Sequence, residues 1–143
     1  MESVILRPTM LTANVEIVRR VYEAFNEGGI EAGMGFFAED LEFHEPPEQP
    51  APRIARGRQE TARMFGEFDQ AWAEHRTEPE KFQAVGDDKV LVLSIEHFRG
   101  RDGMELSTPC GQLFTLRNGK IVRWQAFWDR ESALTAARRS SAA

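Results

Sequence analysis

The stretch "MELSTPCGQLFTLRNGKIVRWQAFW", residues 104–128, carries the strongest fold signal in this sequence of 143 residues. Asn118-Gly119 is typical of a two-residue type I′ hairpin turn, and apolar and polar residues alternate on both sides of it. The stretch therefore predicts two long antiparallel strands. Turns at Asp102-Gly103 and Gly86-Asp87-Asp88 add the strands "KVLVLSIEHFRG" and "TEPEKFQAV" before them, which completes a four-stranded antiparallel meander.

The part of the chain before the meander has mainly helical periodicity. It predicts a first helix capped by Asn14 and ending at the Gly28-Gly29 pair, a short second helix around Met34, the strand "LEFHE" (41–45) and a third helix from about Gly57 to Glu74. Prolines between residues 46 and 52 predict an irregular loop, because proline cannot donate to a sheet ladder. After the meander, Asp129 is predicted to cap a terminal helix.

Helices followed by a long antiparallel meander predict an α+β fold with the helices packed on one face of the sheet. Long strands twist and curl, so the two layers should enclose a concave pocket that suits a small ligand. We expect one domain over residues 14–137, with an N-terminal extension over 1–13 and a flexible tail over 138–143.

Composition and motifs exclude several classes of function. The formal charge of −5 argues against nucleic acid, which needs a basic face. Cys110 is the single cysteine, and the three histidines lack metal-binding spacing, so neither a disulfide nor a metal site is predicted. No cofactor is predicted either, because phosphate-binding and dinucleotide-binding glycine motifs are absent. No apolar run approaches the ~20 residues that span a bilayer, and no signal peptide is recognised. We therefore expect a cytoplasmic protein with no membrane partner.

The order of elements resembles the nuclear transport factor two-like superfamily, which includes ketosteroid isomerase, scytalone dehydratase, limonene epoxide hydrolase and the SnoaL-like polyketide cyclases. The likeness is carried by "VRRVYEAFNEGG" (18–29), "FFAEDLEFHEPPE" (36–48), "GRQE" (57–60) and "NGKIVRWQAFWDRESALTAA" (118–137), the last being close to the SnoaL-like form. The resemblance implies a cone-shaped fold, in which a curved antiparallel sheet wraps on N-terminal helices around a deep apolar pocket. It also implies a homodimer built on the outer face of the sheet.

Compared by position with ketosteroid isomerase, the segment "FAEDLEFHEP" places the general base of that enzyme on Glu45. The two oxyanion donors of the isomerase fall on Val21 and Gln112, although Tyr22 stands next to the first. The resemblance therefore implies acid–base chemistry of another kind than ketosteroid isomerisation.

Two glutamates are the candidate acid–base residues. Phe43 and Glu45 share one face of their strand, so Glu45 faces the pocket mouth if Phe43 packs inside, and apolar walls there would disfavour its charge. The alternative is a solvated glutamate at the edge of the loop. The resemblance also assigns the face containing Glu96 to the pocket, whereas a register shifted by one residue would turn it outward. Two carboxylates in one chamber could act as acid and base.

The remaining candidates surround the same pocket. Gln112 is the third catalytic candidate, because its amide can orient a substrate oxygen, together with Tyr22. The candidate ligand-binding residues are Tyr22, Phe43, Phe98, Cys110, Phe114, Trp124 and Trp128. On the convex side, we expect Arg123, Gln125 and Phe127 to join Ile95 and His97 in a homodimer contact.

Three functions remain open from the sequence. The first is a cofactor-independent enzyme that moves protons on an apolar carbonyl or hydroxyl compound, as an isomerase, dehydratase or cyclase does. The second is a domain that binds an apolar metabolite without catalysis. The third is an interaction module whose sheet face binds another protein. The sequence does not decide whether the 46–52 loop closes over the pocket.

Overall fold

The computed structural model of the chain describes residues 2–142, and the side chains of residues 13–140 within them. Two helices and two strands come first: α1 (Glu2–Ala32), β1 (Phe37–His44), β2 (Ile54–Arg56) and α2 (Arg58–Gln70). Four long strands and a helix follow: β3 (Glu74–Val85), β4 (Lys89–Arg99), β5 (Glu105–Arg117), β6 (Lys120–Phe127) and α3 (Arg130–Ala142). The fold is α+β, as the pattern of elements predicted.

One six-stranded sheet runs in the order β2-β1-β6-β5-β4-β3. Strands β3 to β6 form the predicted antiparallel meander. Strand β1 joins β6 in parallel, and the short β2 pairs antiparallel with β1, so the curved sheet is mixed. The parallel pairing joins strands far apart in the chain, and β2 has three residues. Neither gives a local sequence signal.

The helix boundaries differ from the prediction in three places. Asn14 does not cap α1 but lies inside it, where its Nδ2 donates to the Asp87 carbonyl at 3.3 Å. The predicted second helix is shorter than expected: after the Gly28-Gly29 break a brief helical segment ends at Ala32, and a 3₁₀ turn at Met34–Phe36 then leads into β1. Helix α2 ends at Gln70, four residues before the predicted end. The break at Gly28-Gly29 is confirmed, because Gly29 takes a φ of 73° that glycine adopts without strain.

The sheet packs on both faces. On the inner face, α1 and α2 cover a core centred on Val18, Phe37, Leu41 and Phe114, all 0% exposed. On the outer face, α3 covers part of the meander, and its small residues Ala133 and Ala137 pack against a second set of buried residues, Leu91, Leu113 and Phe127.

The prediction that Phe127 lies at a homodimer contact is therefore wrong, because α3 of the same chain buries it. Gly111 on β5 makes the close approach of α3 possible: a Cβ there would overlap the Cβ of Ala133. No helix within residues 2–142 combines the length and apolarity that crossing a membrane requires.

Candidate functional site

A cavity of about 660 Å³ lies between the inner face of the sheet and the helices α1 and α2. Its walls are mainly aromatic, since α1, α2 and five strand or loop segments each contribute rings: Phe25, Phe43, Phe65, Phe68, Trp72, Phe98, Trp124 and Trp128. Trp124 organises one wall, with ring centroids 5.0 Å from Phe43 and 5.2 Å from Phe65. Such a cavity suits a flat apolar ligand of a few rings.

The structure brings nine of the ten predicted site residues to this cavity: Tyr22, Phe43, Glu45, Glu96, Phe98, Cys110, Gln112, Trp124 and Trp128. Trp128 is 53% exposed, which places it at the mouth. Phe114 does not line the cavity. It is 0% exposed and lies behind the wall, 5.2 Å from Trp124 between ring centroids, so it supports the wall instead of contacting a ligand.

Glu96 is held inside by a network of hydrogen bonds. Its Oε2 accepts from the hydroxyls of Thr77 at 2.7 Å and Ser94 at 2.8 Å, and its Oε1 lies 2.9 Å from Nε2 of His75. The side chains of Glu96 and His75 are 12% and 10% exposed. The inward register of β4 that the resemblance implied is the one observed, and the shifted register is not.

His75 was not predicted as a site residue. Its ring stacks on Phe98 at 4.7 Å and meets Phe25 and Phe68 edge-on, while its Nδ1 is buried without a hydrogen-bond partner among the described residues. Because Glu96 can only accept when ionised, it favours the tautomer with hydrogen on Nε2, which leaves the lone pair on Nδ1. The imidazole is thus fixed by its bond to Glu96 and by the rings around it.

Simple alternation along β3 could not have identified His75. If β3 and β4 paired without interruption from the turn at Gly86–Asp88, Glu78 would stand opposite Glu96. In the structure the register shifts by one residue between Pro79 and Lys81. Thr77 therefore stands opposite Glu96. The available signal was Pro79 itself, because proline inside a strand marks an edge strand or a bulge.

Gln112 is oriented by its neighbour on β6. The indole Nε1 of Trp124 donates to Gln112 Oε1 at 2.6 Å in a buried contact. This bond identifies which end of the Gln112 amide is the oxygen, and it leaves the Nε2 group free to donate a hydrogen bond. Since Gln112 lines the cavity, that donor is available to a ligand oxygen.

Two further polar groups line the inner wall. The Tyr22 hydroxyl is buried without a partner among the described residues, and burial, followed by the nearby charge of Glu96, raises the pKa of Tyr22 well above its ordinary value. Tyr22 therefore stays a neutral hydrogen-bond donor. Burial likewise raises the pKa of the Cys110 thiol to about 12, so Cys110 contributes a small apolar surface and no thiolate.

Glu45 lies at the mouth in a different environment from the predicted one. Arg53 donates to both of its oxygens, through Nε at 3.1 Å and Nη2 at 3.0 Å, and the backbone N–H of Arg53 adds a third bond at 2.8 Å. Burial raises the pKa of Glu45, but these bonds outweigh burial and hold the pKa below its ordinary value. Burial thus disfavours the charge of Glu45 as expected, but Arg53 reverses the net direction of the pKa shift.

The same arginine reaches across the mouth. Its Nη1 donates to Glu67 of α2 at 3.2 Å. Glu45 and Glu96 thus have separate partners, an arginine at the rim and a histidine inside. Within the described part of the chain, no group of three or more histidine, cysteine, aspartate or glutamate residues is arranged to hold a metal ion.

Helices and a curved mixed sheet around an aromatic cavity with inward polar atoms define the ketosteroid isomerase-like fold. Residues 18–124 match the model of the SnoaL-like domain, and the chain belongs to this family. A comparison with curated proteins gives no match.

Solved structures agree on the fold. TerC, co-crystallised with polyporic acid, has 19% identity and a TM-score of 0.73, with 88% of this chain and 98% of that chain covered. A putative polyketide cyclase from Xanthomonas campestris pv. campestris has 21% identity and a TM-score of 0.68, covering 90% and 98%. The epoxide hydrolase/cyclase-like enzyme SalBIII has 23% identity and a TM-score of 0.70, covering 82% and 92%. At these identities the similarity shows the fold alone.

Proposed function

We propose that this chain is a cofactor-independent enzyme that moves protons on an apolar carbonyl or hydroxyl compound, in the class of isomerases, dehydratases and cyclases. The observation that carries the proposal is the pair formed by Glu96 and His75 inside the aromatic cavity, with Oε1 and Nε2 2.9 Å apart. The names of two similar structures, a putative polyketide cyclase and an epoxide hydrolase/cyclase-like enzyme, support this class.

In the proposed mechanism, the pair of Glu96 and His75 accepts a proton from a carbon or hydroxyl of the substrate. A proton held by the imidazole leaves a positive charge, which the adjacent carboxylate of Glu96 stabilises. A proton acceptor enclosed by rings and shielded from water keeps its hydrogen-bonding strength.

The oxygen of the substrate is positioned by the opposite wall. Gln112 Nε2 and the Tyr22 hydroxyl are both neutral donors, and a carbonyl or enolate oxygen is the group that they would bind. Polyporic acid and trimethylamine appear in the names of two similar structures, which supports small-ligand binding by this fold. No step requires a cofactor, because donor and acceptor both belong to the chain.

Glu45 stays a candidate base, but its ion pair makes it a weaker one than the sequence predicted. Arg53 stabilises the ionised form and lowers its pKa, and a lower pKa means a smaller driving force for proton abstraction. The proposal therefore assigns proton transfer to the inner pair and assigns Glu45 to the mouth.

The test measures exchange of the α-hydrogens of 2-tetralone, an apolar bicyclic ketone, for deuterium in D₂O by NMR. The wild-type protein should accelerate exchange. His75→Gln and Glu96→Gln should each reduce it by about 10²–10⁴-fold, the usual contribution of a positioned acid–base group. Glu45→Gln should change it by less than about tenfold, whereas a loss equal to that of His75→Gln would restore Glu45 as the base.

The outer face offers a matched control. His97 and Glu78 form a second histidine–glutamate pair at 2.8 Å, and neither residue lines the cavity. His97→Gln and Glu78→Gln should leave exchange unchanged. Saturable binding of 2-tetralone without exchange by the wild-type protein would overturn the enzyme and favour the non-catalytic binding domain.

A homodimer through the outer sheet face is a further part of the proposal. Helix α3 covers one part of that face, while Asp40, Lys89, Arg117 and Arg123 surround a shallow depression on another part. Charges of both signs could pair across a two-fold axis. Light scattering should give twice the chain mass of 16.3 kDa, and salt should weaken the association. A concentration-independent monomer would contradict it.

A further inference from the structure

Strand β3 contains one residue more than the facing part of β4. Residues from Val85 to Lys81 pair in one register, the pairing resumes at Pro79 opposite Ser94, and Glu80 has no partner between them. This is a β-bulge, and because side chains alternate with a period of two, one extra residue reverses the faces of everything beyond it.

This reversal determines which side chains of β3 face the cavity. Without the extra residue, Glu78 would stand opposite Glu96, and the inner face of β3 would carry two charged side chains, Arg76 and Glu78. With it, His75 and Thr77 point inward, where Thr77 is 4% exposed, while Arg76 and Glu78 are exposed. The partner of Glu96 is therefore selected by the bulge.

The bulge is held by a residue from another element. Arg130 is the first residue of α3, and its Nη2 donates both to Glu80 Oε1 at 2.6 Å and to the carbonyl oxygen of Ser94 at 2.8 Å. One guanidinium nitrogen thus joins the unpaired residue of β3 to β4 at the point where the register changes. Pro79, opposite Ser94, has no N–H of its own to contribute.

We propose that Arg130 is a positioning residue for the cavity: by bonding Glu80 and Ser94 it keeps the bulge in place and so holds His75 against Glu96. The inference rests on the proposed function in one respect, since it explains how the proposed proton-transfer pair is assembled. The inference itself concerns the register of β3 against β4. The tautomer of His75 reports on this register, and it can be measured without a substrate.

The experiment records long-range ¹H–¹⁵N NMR spectra of the histidine rings. The chain has three histidines, so His44→Gln and His97→Gln assign the His75 signals. In the wild-type protein, His75 should show one fixed tautomer with hydrogen on Nε2. Arg130→Ala and Glu80→Ala should each replace it with the averaged signals of a ring that exchanges between tautomers.

Arg138→Ala is the matched control, because it removes the same charge from the same helix, and among the described residues Arg138 bonds only Thr135, at 3.4 Å. It should leave the His75 signals unchanged, and Arg130→Lys should restore part of the wild-type pattern. Glu80, whose side chain is 42% exposed, gives a variant expected to fold even if Arg130→Ala does not.

Folded Arg130→Ala or Glu80→Ala protein with the wild-type tautomer of His75 would overturn the positioning role. The proposed function fails separately: if His75→Gln leaves tetralone exchange intact while Arg130→Ala alters the tautomer, the assignment of proton transfer to His75 is wrong and the positioning role stands.

Discussion

Tyr22 illustrates, at the scale of one residue, how a binding site is maintained at the expense of stability. Its hydroxyl is buried and has no partner among the described residues, although its ring packs edge-on against Phe82 and Phe114 at 6.0 Å. A buried polar group without a partner costs about 1–3 kcal/mol. A ligand oxygen that accepted the hydroxyl hydrogen would recover this energy on binding.

Tyr22→Phe should therefore make the free protein more stable and the complex weaker. We expect the free energy of unfolding to rise by about 1 kcal/mol, since the aromatic packing stays while the unpaired hydroxyl disappears. The affinity for 2-tetralone should fall by about fivefold to tenfold, the equivalent of one hydrogen bond. Urea denaturation and NMR titration measure the two effects. A less stable variant with unchanged affinity would show that the hydroxyl serves the fold.

The positions of several site residues were predictable from the sequence. Alternation put Glu96 and Gln112 each on a definite face of its strand, because it is local and survives if the turns are identified, as they were at Gly86 and Asn118. The resemblance then assigned the face with Glu96 to the pocket. Glu45 was placed at the mouth correctly, but the direction of its pKa shift was not predicted, because Arg53 lies eight residues further on beyond an irregular loop. No periodic pattern predicts that contact.

At the scale of elements, the attachment of α3 to the sheet depends on a glycine. Gly111 lies on β5 directly beneath Ala133, and a Cβ at position 111 would overlap the Cβ of that alanine. Helix α3 also contributes Arg130, which holds the bulge of β3. Packing of this helix and the geometry of the cavity are thus connected through the sheet.

Gly111→Ala should destabilise the fold by about 1–3 kcal/mol, the usual cost of overpacking a core, because α3 must move away from the sheet. Gly66→Ala is the control: Gly66 lies in α2 with open space around it, and alanine there should stabilise the fold by about 1 kcal/mol. Urea denaturation of both variants gives the comparison. Equal stability of Gly111→Ala and the wild-type protein would mean that α3 packs more loosely than the structure shows.

The elements themselves show what local patterns can and cannot predict. The meander followed from Asn118-Gly119 and two other turns, since hairpin pairing is local. The bulge at Glu80, the short β2 and the parallel pairing of β1 with β6 depend on contacts between distant segments. His75 was missed for this reason, because its face is decided by a register shift and not by its own position in the alternation.

At the scale of the whole molecule, ion pairs at the mouth of the cavity connect the sheet with the helical layer. Arg53 connects Glu45, just after β1, with Glu67 on α2, so the sheet edge and the helical layer are tied across the opening. The overall α+β fold and the existence of a cavity were predictable from the order of elements. This bridge was not, because it joins parts of the chain that meet only in the folded state.

Acid should weaken the fold through this bridge. The pKa of Glu45 is lower in the folded protein than its ordinary value, so its contribution to stability is fully present above the unfolded pKa and is lost as the pH falls through the folded one. At pH 7, Glu45→Gln should therefore be less stable than the wild-type protein, and the difference should shrink towards zero in acid. Urea denaturation between pH 3 and 7 measures this difference, and the control is Glu39→Gln, because Glu39 is exposed and has no ion pair among the described residues. A gap that stayed constant with pH would show that Glu45 is not stabilised by its charge, and the assignment of Glu45 to a fixed ion pair at the mouth would have to be abandoned.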